Sequence, residues 1–161
     1  MNRSLLLALA CIVPTFNAYA DDQSLFYVAA GTGTGKANLA IGAGNTVDVL
    51  EVSSIDLGKV GGSYNVKFKG LSLVQNAVAK NDLNLMFRVG FGKTTTTFAN
   101  GFTAGRTGIG NGVIFGLGAQ YHPFHHLAFR AEVNRVTYAT APDGSSHTAA
   151  YPLTISALYI F

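Results

Sequence analysis

The stretch "YPLTISALYIF" (Tyr151–Phe161) decides how the rest of this sequence is read. Tyr151, Leu153, Ile155, Ala157, Tyr159 and Phe161 share one parity, and Thr154, Ser156, Leu158 and Ile160 share the other. Alternation with a period of two marks a β-strand with two different faces. In water, an uncovered apolar strand would template aggregation. Either a second protein layer or lipid must therefore cover the face carrying Leu153, Ile155 and Tyr159.

Composition favours lipid. Only 12% of the 161 residues are charged, glycine reaches 19, and the mean hydropathy is +0.29. The one long apolar run is "LLLALACIV" (Leu5–Val13), preceded by Arg3 and followed by "NAYA" before Asp21. With Ala18 and Ala20 in the A-x-A positions, residues 1–20 read as a signal peptide, too short for a transmembrane helix. Cleavage after Ala20 removes Cys11, the only cysteine, so residues 21–161 form no disulfide. Without Arg3, ten of the eleven Lys and Arg face eight Asp and Glu. That near balance, without basic clusters, argues against nucleic-acid binding despite a sequence pI of 9.1. An exported, hydropathic chain lacking a spanning helix is left with one way through a bilayer, a closed barrel of alternating strands.

About eight strands follow from this pattern. They run over residues 24–31, 37–43, 47–57, 65–79, 83–97, 111–122, 127–140 and 151–161. Leu83, Leu85, Phe87, Val89 and Phe91 oppose Asn84, Met86, Arg88, Gly90 and Gly92 in strict alternation. "GN" (Gly44–Asn45), "KND" (Lys80–Asp82) and "PFHH" (Pro123–His126) read as short turns. "TGTGK", "GKVGGSY", "FANGFTAGRTGIG" and "APDGSSHT" read as longer loops. Short turns at one end and longer loops at the other predict an all-β fold, an antiparallel up-and-down transmembrane β-barrel. The turns are then periplasmic and the loops extracellular, with Tyr121, Phe124, Tyr151, Tyr159 and Phe161 in aromatic girdles.

"GLGAQYHPFHHLAFRAEVNR" (Gly116–Arg135) resembles the strand–turn–strand signature of OmpA-type transmembrane domains and related small outer-membrane barrels. "SIDLG" (Ser54–Gly58), "VKFKGLSL" (Val66–Leu73) and the terminal aromatic strand are similar to the same family. The resemblance implies insertion by the barrel assembly machinery, with Phe161 and Tyr159 as the recognition signal. It also implies a monomer in the bacterial outer membrane, without cofactor, in contact with outer-membrane lipids and lipopolysaccharide. Its loops are then open to host surface molecules.

By parity Glu51, Arg88, Arg130 and Glu132 point inward, at places resembling the charged interior cluster of OmpA-type domains. An eight-stranded barrel is just filled by its own side chains, and buried charges persist only when paired. The bland reading, a salt-bridge plug, is therefore preferred to a conducting polar core. A structural or surface-interaction role follows, with a narrow porin-like channel and a lipid A-modifying enzyme as the alternatives.

Other motifs carry less. "GTGTGK" (Gly31–Lys36) departs from a phosphate loop, since Ala30 takes the first glycine position and Ala37 follows the lysine. His122, His125 and His126 suggest a metal site by spacing, but the resemblance makes that segment a periplasmic turn. In "SSHT" (Ser145–Thr148), Ser145, His147 and Asp143 fall in one loop, a poor platform for an esterase. Lys59, Lys67, Lys69, Lys93 and Arg106 fall near the outer rim, where cations meet lipopolysaccharide phosphates.

Overall fold

The computed structural model describes residues 25–80, 82–99, 104–141 and 146–161. The segment read as a signal peptide, residues 1–20, lies outside the described residues. The described chain is all strand, and among these residues no helix is long and apolar enough to cross a membrane. In order the strands are β1 (Leu25–Gly33), β2 (Asn38–Gly44), β3 (Asp48–Val60), β4 (Tyr64–Lys80) and β5 (Leu83–Phe98). They continue as β6 (Thr107–Phe124), β7 (Leu127–Ala139), β8 (His147–Ala150) and β9 (Leu153–Ile160).

Each strand pairs antiparallel with its neighbour, β6 with β7, and β9 with both β7 and β1, so the sheet closes on itself. β8 and β9 occupy one position in the ring. Both pair with β7, β8 opposite Val136–Ala139 and β9 opposite Leu127–Val133. Pro152 sits at the break, where the missing N–H interrupts the ladder, and its carbonyl still accepts from Asn134 N at 3.0 Å. The last stave therefore begins inside the segment read as the loop "APDGSSHT", at His147 rather than Tyr151. The expectation of about eight staves holds, with the eighth in two pieces.

The ring is sheared. Following register partners from Tyr27 leads through Gly42, Glu51, Ser72, Gly90, Ile114 and Val136 to Ala150. That is ten residues before Ile160, which Tyr27 itself faces across the closing seam. Such a stagger goes with strands tilted by about 35–45° and an interior just wide enough for side chains.

Parity sorts the side chains. Leu50, Val52, Leu85, Phe91, Leu117, Phe129, Val133, Ile155 and Tyr159 stand outward, each roughly half exposed or more. Two buried clusters fill the inside. Tyr27, Val49, Val74, Met86, Ala128 and Leu158 pack toward the short-turn end. Ile55, Val66, Phe68, Ile114, Val136 and Tyr138 pack toward the other. An outer surface this apolar and continuous is a surface for hydrocarbon.

Turns follow from local chemistry. After β2, Asn45 Oδ1 accepts from Val47 N at 2.9 Å and Asp48 N at 2.6 Å, a side-chain turn that re-aims the chain into β3. The β3–β4 connection was expected among the longer loops. It is instead a tight hairpin of Gly61, Gly62 and Ser63, with φ of 57° at Gly61 and 73° at Gly62. Only glycine takes that backbone twice in succession without strain, so the strands run on to Val60 and Tyr64.

Gly42 meets a different demand. A Cβ there would collide with the Tyr27 ring, which lies across the inner wall at that point. Gly42→Val is expected to cost about 1–3 kcal/mol by overpacking. Urea unfolding of the refolded barrel, followed by circular dichroism because the chain has no tryptophan, reads this loss.

Candidate functional site

Glu51 on β3, Arg88 on β5, and Arg130 and Glu132 on β7 meet inside the barrel between the two apolar clusters. Their alternation with outward residues such as Leu50, Phe87 and Phe129 turns all four inward. Glu51 is 0% exposed and Arg88 2%. Arg88 grips Glu132 with two parallel bonds, Nε to Oε2 at 2.9 Å and Nη2 to Oε1 at 3.0 Å. Its third nitrogen, Nη1, donates to Glu51 Oε1 at 2.5 Å. Arg130 Nη1 donates to Glu51 Oε2 at 2.7 Å and lies 3.6 Å from Glu132 Oε1. Two acids and two bases thus alternate around a closed square. Guanidinium suits this because its planar fork serves two carboxylates at once.

Two further residues complete the network, and parity alone does not single them out. Tyr27 donates its hydroxyl proton to Glu51 Oε2 and accepts from Arg130 Nη2 at 3.0 Å. The Arg130 guanidinium also stands 5.1 Å from the Tyr27 ring centre, a cation–π contact. Gln120 Oε1 accepts from Arg130 Nε at 3.0 Å. The available signal for Tyr27 was its place on the inward parity of β1. For Gln120 it was a lone amide on a face otherwise made of glycine and Ile114.

Beside the square is a cavity of about 20 Å³, lined by Glu51, Arg88, Arg130 and Glu132 and by Asn38, Ser53 and Thr154. That is room for about one water molecule. Asn38 Nδ2 and Ser53 Oγ face this region without a hydrogen-bond partner.

The remaining candidates are placed as follows. His122, His125 and His126 line a cavity of about 550 Å³ at the short-turn mouth. They do not converge, and among the described residues no three metal-binding side chains come together. His122 Nε2 is 2.7 Å from the Gln120 amide nitrogen, while His126 Nδ1 donates to the Ile160 carbonyl at 3.0 Å and its ring stacks on Tyr159. Ser145 and Asp143 lie outside the described residues, and His147 opens β8. Among the described residues no hydroxyl is hydrogen-bonded to a histidine. Tyr159 and Phe161 stand outward, 52% and 65% exposed, with rings 5.0 Å apart, and Phe161 N donates to the Phe26 carbonyl at 2.9 Å.

The geometry defines a transmembrane antiparallel β-barrel. Among solved structures the chain is similar to Neisserial surface protein A, with a TM-score of 0.56 at 9% identity over 86% of this chain and 94% of that one. Ail, the attachment invasion locus protein of Yersinia pestis, aligns at 16% identity over 86% and 95% of the two chains, with a TM-score of 0.47. The outer membrane protein AlkL, solved in lipid bilayers, aligns at 12% identity over 92% and 94%, with a TM-score of 0.44. At these identities the likeness to Neisserial surface protein A is one of fold. No protein-family model and no curated protein sequence matches this chain.

Proposed function

We propose that this protein is a small outer-membrane barrel of the OmpA type, with a structural and surface-contact role rather than a transport or catalytic one. The observation that carries this reading is the interior. A square of four paired charges is capped on both sides by apolar clusters, and the cavity beside it has room for about one water molecule. A pore needs a continuous wet path, and a catalytic site needs reactive groups open to substrate. A locked interior instead makes a rigid frame that holds its loops at one membrane face. The fold shared with Neisserial surface protein A supports the location, and the charged square supports the OmpA-type resemblance.

The same reading takes residues 1–20 as the export signal, and Tyr159 and Phe161 as the address for the assembly machinery. The barrel acts as a monomer. Outer-membrane lipids, lipopolysaccharide and host surface molecules at the loops are its partners.

Two measurements test it. A folded barrel resists detergent until boiled, so membrane extracts are expected to show a heat-dependent shift in gel mobility. Water-soluble, unshifted protein overturns the membrane reading. Purified barrel in planar bilayers is expected to leave the conductance at baseline. Discrete steps lost on Glu51→Gln would instead make it a channel.

A further inference from the structure

The charged square is wired to the short-turn mouth through Gln120. Gln120 is 3% exposed, and its Oε1 accepts from Arg130 Nε at 3.0 Å. A guanidinium only donates, so the Gln120 carbonyl must face Arg130 and its NH2 must face the mouth. There the amide nitrogen stands 2.7 Å from Nε2 of the half-buried His122. Nε2 is therefore a bare acceptor, and the ring proton sits on Nδ1. The Asn84 amide nitrogen, on β5, lies 3.5 Å from the same Nε2. The direction of hydrogen bonding is thus fixed along His122, Gln120 and Arg130, and only while His122 is neutral.

A proton on Nε2 would set N–H against N–H across that 2.7 Å contact. Inverting the Gln120 amide gives no relief, because its NH2 then opposes Arg130 Nε and a buried guanidinium loses a partner. Of the two bonds, the charge-assisted one to Arg130 is the stronger, so the imidazolium is the group that leaves. The mouth has room for it, an opening of about 550 Å³ with Asp82 among its walls. Among the described residues the charges acting on the ring are Asp82, which draws it outward, and Arg130, which repels it. The other titratable side chains of the mouth are His125 and His126. His126 makes the opposite kind of bond, Nδ1 donating to the Ile160 carbonyl at 3.0 Å, so a proton on its Nε2 breaks nothing. His125 is exposed. Three histidines share one turn, and His122 is the one bonded to the interior.

We propose that His122 is an acid-sensitive latch on the short-turn mouth. Neutral, it accepts from Gln120 and keeps water off the Gln120–Arg130 bond. Protonated, it swings into the mouth toward Asp82, and water reaches that bond. An imidazole in water takes up its proton near pH 6.5. The latch binds a proton only by opening, so the closed form prevails above that pH and gives way below it. The latch rests on the closed barrel and its buried square. It goes beyond the structural role by giving that interior a condition under which one end admits water.

Nitrogen-15 NMR of the folded barrel in phospholipid nanodiscs tests this in two ways. At pH 7.5 the His122 ring is expected to carry its proton on Nδ1 with Nε2 bare; a protonated Nε2 at that pH overturns the proposal by itself. The second readout is the rate of Nε–H exchange with water at Arg130 divided by that at Arg88, a ratio that cancels the pH dependence of the exchange chemistry. It is expected to rise at least tenfold between pH 7.5 and pH 5.0. His122→Gln keeps an acceptor that cannot titrate and should hold the ratio flat. Gln120→Leu removes the link and should leave the ratio high at both pH values. His126→Gln should keep the wild-type rise. A flat ratio in the wild type overturns the latch, and so does a rise that survives His122→Gln, which would pass the switch to another group. Every variant is checked for its heat-dependent gel shift. If the wild type shifts and its ratio stays flat, the latch alone falls; if it does not shift, the membrane-barrel reading falls and takes the latch along.

Discussion

Arg88→Ala is expected to destabilise the folded barrel by about 3–5 kcal/mol, the cost of stranding a buried charge. Among the described residues Arg88 is the one that hydrogen-bonds both carboxylates of the square. Without it, Glu51 keeps Arg130 and Tyr27, but Glu132 retains only the 3.6 Å approach of Arg130 Nη1. Glu132 would then hold a charge in a low-dielectric interior with its two best bonds gone. Arg88→Lys should recover only part of the loss, since a single ammonium cannot reproduce the three-nitrogen fork that reaches two acids. Pairing Arg88→Met with Glu132→Gln should be milder than Arg88→Ala, because both the cation and the orphaned anion are removed together. Reversible urea unfolding in phospholipid vesicles, followed by circular dichroism, gives all three values. A loss below about 1 kcal/mol for Arg88→Ala would mean that water screens the square and that the interior is not sealed.

Leu117→Arg is expected to cost about 2–4 kcal/mol, the penalty for a cation on the lipid face near the bilayer midplane. Leu117 stands outward midway along β6 and is 67% exposed in the isolated chain. In water such a position tolerates arginine; in hydrocarbon it does not. Ile109 on the same strand face is also exposed, at 65%, but lies near the loop end of β6. Ile109→Arg should cost no more than about 1 kcal/mol, because the penalty fades toward the interface. The contrast between two equally exposed residues isolates the solvent from the protein. Equal, small effects at both would mean that water or a second protein layer, not lipid, covers this face.

Much of this design is legible from residue order because the side-chain period of a strand is local. Val52 and Phe91 face out while Glu51 and Arg88 face in, and one residue's neighbours suffice to say so. The same rule placed four charges in one interior, and the tight turns that follow β2 and β6 carried polar or proline signals beside them. Glycine and proline were harder to place. Gly61 and Gly62 looked like a longer loop and instead close a hairpin. Pro152 looked like the start of a strand and instead splits a stave that begins at His147.

Which residues meet lipid and which turn inward follows from residue order alone, since that depends only on parity along each strand. Which charges touch was decided by the closed ring. Glu51 and Arg130 lie 79 positions apart and meet because the stagger of every strand pair accumulates around the barrel. That stagger also sets the height at which Tyr27 reaches over Gly42. No single segment encodes it, because it is a property of closure: only when the last strand returns to the first are the pairings fixed together.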